Sequence, residues 1–152
     1  MPSSLHMKDA GYTKQERAMI ALMRIWAIAF LGAGVLFAAA PDYIPNYVTD
    51  IGTVLLDWNA PQLPQEGRFW VVLAVALLFS LSYMCMVIQK NVVRNIGYTR
   101  PILLAKFTSS IGFAICYCLL GRQFIFLVAA LVDGSIFLIT WSFYRRALRS
   151  RA

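Results

Sequence analysis

FLVAALVDGSIFLITWSF, Phe126 to Phe143, is apolar at nearly every position, yet Asp133 and Gly134 stand in its middle. A helix crossing the hydrocarbon core of a bilayer needs about 20 predominantly apolar residues. Three further runs have that length and character, so the four spans are expected at roughly 18–40, 69–88, 101–120 and 124–143. A barrel strand would alternate apolar and polar residues and turn at short intervals. None of these runs does. Backbone groups in lipid must then be satisfied within each segment, which means helices.

Composition agrees. Apolar residues make up 60% of the 152 residues and charged residues 14%, where a soluble domain carries about 25% charged. The expected fold is all-α, a single integral membrane domain over residues 1–152 built as a transmembrane four-helix bundle. The first span ends in FAAA, which looks like a processing site, but Pro41 directly after Ala40 sits badly in a processing pocket. That helix is expected to be retained.

The net charge of +7 is unevenly spread. Lys8, Lys14, Arg17 and Arg24 precede or open the first helix. Lys90, Arg94 and Arg100 join the second to the third, and Arg145, Arg146, Arg149 and Arg151 close the chain. With four crossings all of these fall on one side, whereas Asp42, Asp50, Asp57 and Glu66 fall on the other with Arg68 and Arg122. Lys and Arg in short loops mark the cytoplasmic face. N and C termini are therefore expected in the cytoplasm, and the location to be a bacterial inner membrane, multi-pass. The basic face is read as a partner for anionic lipid headgroups. A nucleic-acid role is not expected, since no zinc-finger spacing or stacking platform accompanies the charge.

Between the first two spans, Tyr47, Ile51, Val54, Leu55 and Trp58 recur at helical spacing. This gives a short amphipathic interfacial helix over roughly 46–59, ended by NAPQLP and read as a lid on the outer end of the bundle. TKQERAMIALM suggests a capped start at Thr13, with Glu16 completing a capping box and Trp26 near headgroup level. Thr99 is the expected cap of the third span, whose first turn tolerates Pro101. LGRQF is too short to let the last two spans be anything but antiparallel neighbours.

Asp133 lies about ten residues into its helix, roughly 15 Å deep and near the midplane. Lys106 enters from the opposite end to roughly 8 Å, and Arg24 and Tyr83 reach a similar level. On one face of the third span lie Lys106, Ser109, Ser110, Phe113 and Tyr117; on one face of the fourth lie Asp133, Thr140 and Tyr144. Ser80, Tyr83 and Lys90 stripe the second. Polar faces in lipid turn toward other helices. The candidate intramembrane polar site is thus Asp133, Lys106, Arg24, Tyr83, Ser109 and Ser110, with Lys106 favoured over Arg24 as counter-ion. A carboxyl group at that depth is either protonated and hydrogen-bonded or ionised and paired.

Catalytic residues are not assigned. His6 is the only histidine and lies near the N terminus, so bis-histidine haem ligation, histidine-based metal sites and Ser–His or Cys–His nucleophiles have no basis. Cys116 and Cys118 are two apart on a helix and do not face each other; these two and Cys85 read as small buried residues. Gly32 and Gly34 in LGAGV read as contact points, and Trp70 and Trp141 as an aromatic belt.

RIWAIAFLGAGVLFAAAPD, GRFWVVLAV and LVDG together resemble the DoxX-like group of small bacterial four-helix membrane proteins over about Arg24 to Tyr144. The resemblance implies the fold and a small apolar ligand such as a quinone or lipid. It transfers no catalytic residue. The functional expectation is a non-enzymatic accessory subunit or scaffold, acting as a homo-oligomer or with a membrane complex partner. A small transporter or channel-like protein using Asp133 for a proton, cation or solute is the first alternative, and a quinone- or lipid-binding redox subunit the second.

Overall fold

The computed structural model describes residues 11–56, 68–119 and 123–150, with no account of the side chains at 55, 56 and 68–70. Among the described residues every regular element is helical: α1 (Lys14–Ala39), α2 (Tyr43–Leu56), α3 (Arg68–Lys90), α4 (Val92–Asn95), a 3₁₀ turn (Ile96–Tyr98), α5 (Thr99–Leu119) and α6 (Phe124–Arg149). Four helices, α1, α3, α4–α5 and α6, are long and apolar enough to cross a membrane. The chain is a small multi-pass membrane protein by that measure.

Two tight antiparallel pairs form the body: α1 packs along α3, and α5 along α6. Met19, Met23 and Phe30 of α1 meet Leu81, Cys85 and Ile88 of α3 in the core, with Val92 and Ile102 closing it below. Gly34 permits a close crossing, since a Cβ there would stand 3.1 Å from the Phe79 ring and 3.4 Å from Leu78. Gly32, also expected as a contact point, has nothing within 4 Å of its Cβ position among the described residues. Two side chains of α3 tie it to α1: Ser82 Oγ donates to Ala27 O at 2.8 Å, and Gln89 Nε2 donates to Met23 O at 3.2 Å.

The start of α1 follows its sequence. Thr13 Oγ1 accepts from Glu16 N–H while the Glu16 carboxylate accepts from Thr13 N–H, a complete capping box. Thr13 Oγ1 also lies 3.1 Å from Ser150 Oγ. Ser150 gives its own hydroxyl proton to Ala147 O, so Thr13 is the donor between them. The first turn of α1 and the end of α6 are therefore fastened side by side at one end of the bundle.

α6 runs six residues past the expected Phe143, because YRRALR is a good helix former and no breaker intervenes. α2 spans Tyr43–Leu56, starting three residues earlier than expected, with Pro45 accommodated in its first turn; the expected end at 59 lies outside the described residues. It packs on α6 through Gly52, buried against Phe124. Thr99 is not the cap that its sequence suggests. It is the first residue of α5, and its hydroxyl is buried without a partner among the described residues. Cys85 is buried, but Cys118 is exposed. Asp57, Trp58, Glu66, Arg122 and the NAPQLP segment lie outside the described residues, as does the Trp70 side chain.

Candidate intramembrane ion-pair site

α5 and α6 lie antiparallel, and the side chain of a residue eight positions into α5 reaches one ten positions into α6. Those residues are Lys106 and Asp133. Lys106 Nζ donates to Asp133 Oδ1 at 2.7 Å, and both residues are only 8% exposed. Ser109, three residues along the same face, donates its hydroxyl to Asp133 Oδ2 at 2.5 Å. Each carboxylate oxygen thus holds a donor from α5.

Ser110 lies beside this pair and donates to Ala130 O on α6 at 2.9 Å. Gly134 leaves room for it: a Cβ there would fall 3.0 Å from Ser110 Oγ. α1 completes the surroundings, with the Phe30 ring 5.0 Å from the Lys106 ammonium, a cation–π contact in a dry setting. Two donors from α5 and an aromatic face from α1 therefore surround the buried carboxylate of α6.

The other residues of the expected seam lie elsewhere. Arg24 is exposed, and Tyr83 is 63% exposed on the far side of α3. Ser80 bonds its own helix at Ala76 O, and Lys90 is exposed. The face of α3 that turns inward is set by its packing on α1, through Leu81, Cys85 and Ile88, and the Ser80–Tyr83 stripe points away from it. Polar character alone did not decide the rotation of that helix.

No family model, no curated protein and no solved structure matches this chain. The chemistry of the site rests on its own geometry.

A second polar contact escaped the sequence reading. Trp26, expected at headgroup level, is half-buried between α1 and α6, where its Nε1–H donates to Thr140 Oγ1 at 3.1 Å. The inward face of α6, with Asp133, Thr140 and Tyr144 all buried, does carry the signal: seven- and four-residue spacing of polar groups in an apolar run. At the end of the bundle Tyr144 accepts from Arg100 Nε at 3.1 Å. Beside Trp26 a shallow apolar groove of about 450 Å³ opens between α1 and α6, lined by Ala29, Val132, Ile136 and Ile139 among others. Among the described residues no three His, Cys, Asp or Glu side chains come together as metal ligands.

Proposed function

We propose that this chain is a non-enzymatic accessory subunit or scaffold of a bacterial inner membrane, in which the Lys106–Asp133–Ser109 cluster locks the helices together. One observation carries the reading: both oxygens of Asp133 are already engaged by α5, in a setting closed to solvent. A lone carboxylate at the bilayer centre costs about 3 kcal/mol or more. Pairing removes most of that penalty, and the arrangement needs no ligand to complete it. A carrier carboxylate would instead need access to one face of the membrane. The basic end of the bundle supports a cytoplasmic placement of both termini.

Proteoliposome flux tests this reading against transport. Wild type and Asp133→Asn should both be silent for protons and for monovalent cations. Flux in the wild type that Asp133→Asn abolishes would overturn the scaffold reading in favour of a carrier.

A second reading is favoured by the groove beside Trp26, whose apolar lining suits the tail of a quinone or lipid. The resemblance to DoxX-like proteins points the same way. Quinone added to the purified protein should quench tryptophan emission under this reading, Trp26→Phe should remove that quenching, and Ile136→Phe, which narrows the groove, should weaken it.

A further inference from the structure

We propose that the cleft between the first turn of α1 and the last turns of α6 binds the headgroup of an anionic phospholipid. This is independent of the scaffold reading. The cleft measures about 220 Å³ and is lined by Lys14, Gln15 and Ala18 of α1 and by Phe143 and Arg146 of α6. Lys14 and Arg146 are exposed, and neither has a carboxylate partner among the described residues. The nearest acidic side chain in sequence, Glu16, is buried, with its carboxylate on the Thr13 N–H. Two cations on separate helices therefore face one cleft, and among the described residues no carboxylate pairs with either.

The spacing of the two rims is held by the Thr13–Ser150 hydrogen bond. The lining is also graded with depth. Ala18 lies one turn further into the span than Lys14, and Phe143 one turn further in than Arg146, so the apolar floor sits about 5 Å below the charges. A ligand matching this is anionic at its tip and apolar one turn below. A phospholipid has that shape: phosphate between Lys14 and Arg146, glycerol and upper acyl carbons over Ala18 and Phe143. The Gln15 amide adds a neutral donor at the rim. A free phosphate would use the cations and leave the floor uncovered.

The test uses the full chain in neutral detergent, titrated separately with phosphatidylglycerol, phosphatidylcholine and inorganic phosphate, with bound adducts counted by native mass spectrometry. Phosphatidylglycerol should be retained over phosphatidylcholine by roughly tenfold or more, and phosphate should not displace it. The double variant Lys14→Gln, Arg146→Gln should bind phosphatidylglycerol roughly 30-fold more weakly. Lys90→Gln with Arg94→Gln removes the same charge at the same end outside the cleft, and should change binding less than about threefold. Ala18→Trp keeps both cations, fills the floor, and should also weaken binding. Helicity by circular dichroism checks that each variant is folded. Unchanged binding in the Lys14, Arg146 variant would overturn the proposal. So would an equal loss in the Lys90, Arg94 variant, unchanged binding in Ala18→Trp, or displacement by free phosphate.

Discussion

Lys106 on α5 and Asp133 on α6 are 27 residues apart in the chain and 2.7 Å apart in space. Their separation in sequence means that the contact forms only when the two helices dock antiparallel in one rotational setting. A purely apolar interface between two such helices would permit neighbouring settings at little cost, because lipid tails are as apolar as leucine. The pair thus selects an arrangement as well as stabilising it. Removing one partner leaves the other charged and buried, so Lys106→Met should lower stability by about 3–5 kcal/mol. Ser109→Ala removes one hydrogen bond to a charged group and should lower it by about 1.5–3 kcal/mol. Reversible unfolding in mixed micelles checks the order, with Lys106→Met the more damaging.

Gly134 makes room for the Ser110 hydroxyl, and a methyl group there would push that hydroxyl off Ala130 O. Gly134→Ala gains helix propensity but loses this bond, for a net destabilisation of about 1 kcal/mol. In a Ser110→Ala background the methyl meets only the remaining Cβ of residue 110, at an ordinary 3.9 Å, so the same substitution should become neutral or stabilising. Non-additivity of the pair, read by the same unfolding experiment, is the diagnostic.

Gly52 touches the ring of Phe124, where a Cβ would come within 2.8 Å. No side-chain rotation at position 52 relieves that contact, so Gly52→Ala must shift either the ring or the whole of α2. The expected loss is about 1–3 kcal/mol. Hydrogen exchange should locate it: amides of α2 exchange faster while those of α1 and α3 are unchanged.

Thr13 serves two helices, capping α1 and bonding Ser150 at the end of α6. Thr13→Ala should cost about 1 kcal/mol from the cap alone. The tether adds a local signature. Hydrogen exchange should quicken in the first turn of α1 and in the last turn of α6 together, whereas loss of a cap alone would fray only α1.

The helices could be read because lipid imposes a length and a composition that few other structures share, and the capping box at Thr13 and Glu16 was legible for equally local reasons. Lys106, Ser109 and Asp133 were legible as one group because they sit on opposing faces of two helices that a short turn forces together. Arg24 and Tyr83 were not placed correctly, and the reason is rotational. Depth along a helix follows from counting residues, but the direction a side chain takes depends on which neighbour the helix prefers. α3 follows α1 through Leu81, Ser82, Cys85 and Ile88, and this packing carries Tyr83 outward. Ser82 and Gln89 were overlooked because single polar residues in apolar runs carry no period of their own, and their carbonyl partners on α1 are invisible to side-chain patterns. The bond from Trp26 to Thr140 is not legible in the sequence, because it depends on the α1–α6 contact.

A double-mutant cycle between Lys106 and Asp133, followed by unfolding free energy in a lipid bilayer, is the most direct measurement. If the two charges neutralise each other inside the bundle, Lys106→Met and Asp133→Leu should each lose about 3 kcal/mol or more. The double variant, with both charges gone and the volume kept, should recover to within about 1 kcal/mol of the wild type, so that the coupling is at least about 5 kcal/mol. Losses that simply add, with a coupling below about 0.5 kcal/mol, would mean that Asp133 is satisfied by water or by the bilayer surface, and the interior clamp would not exist.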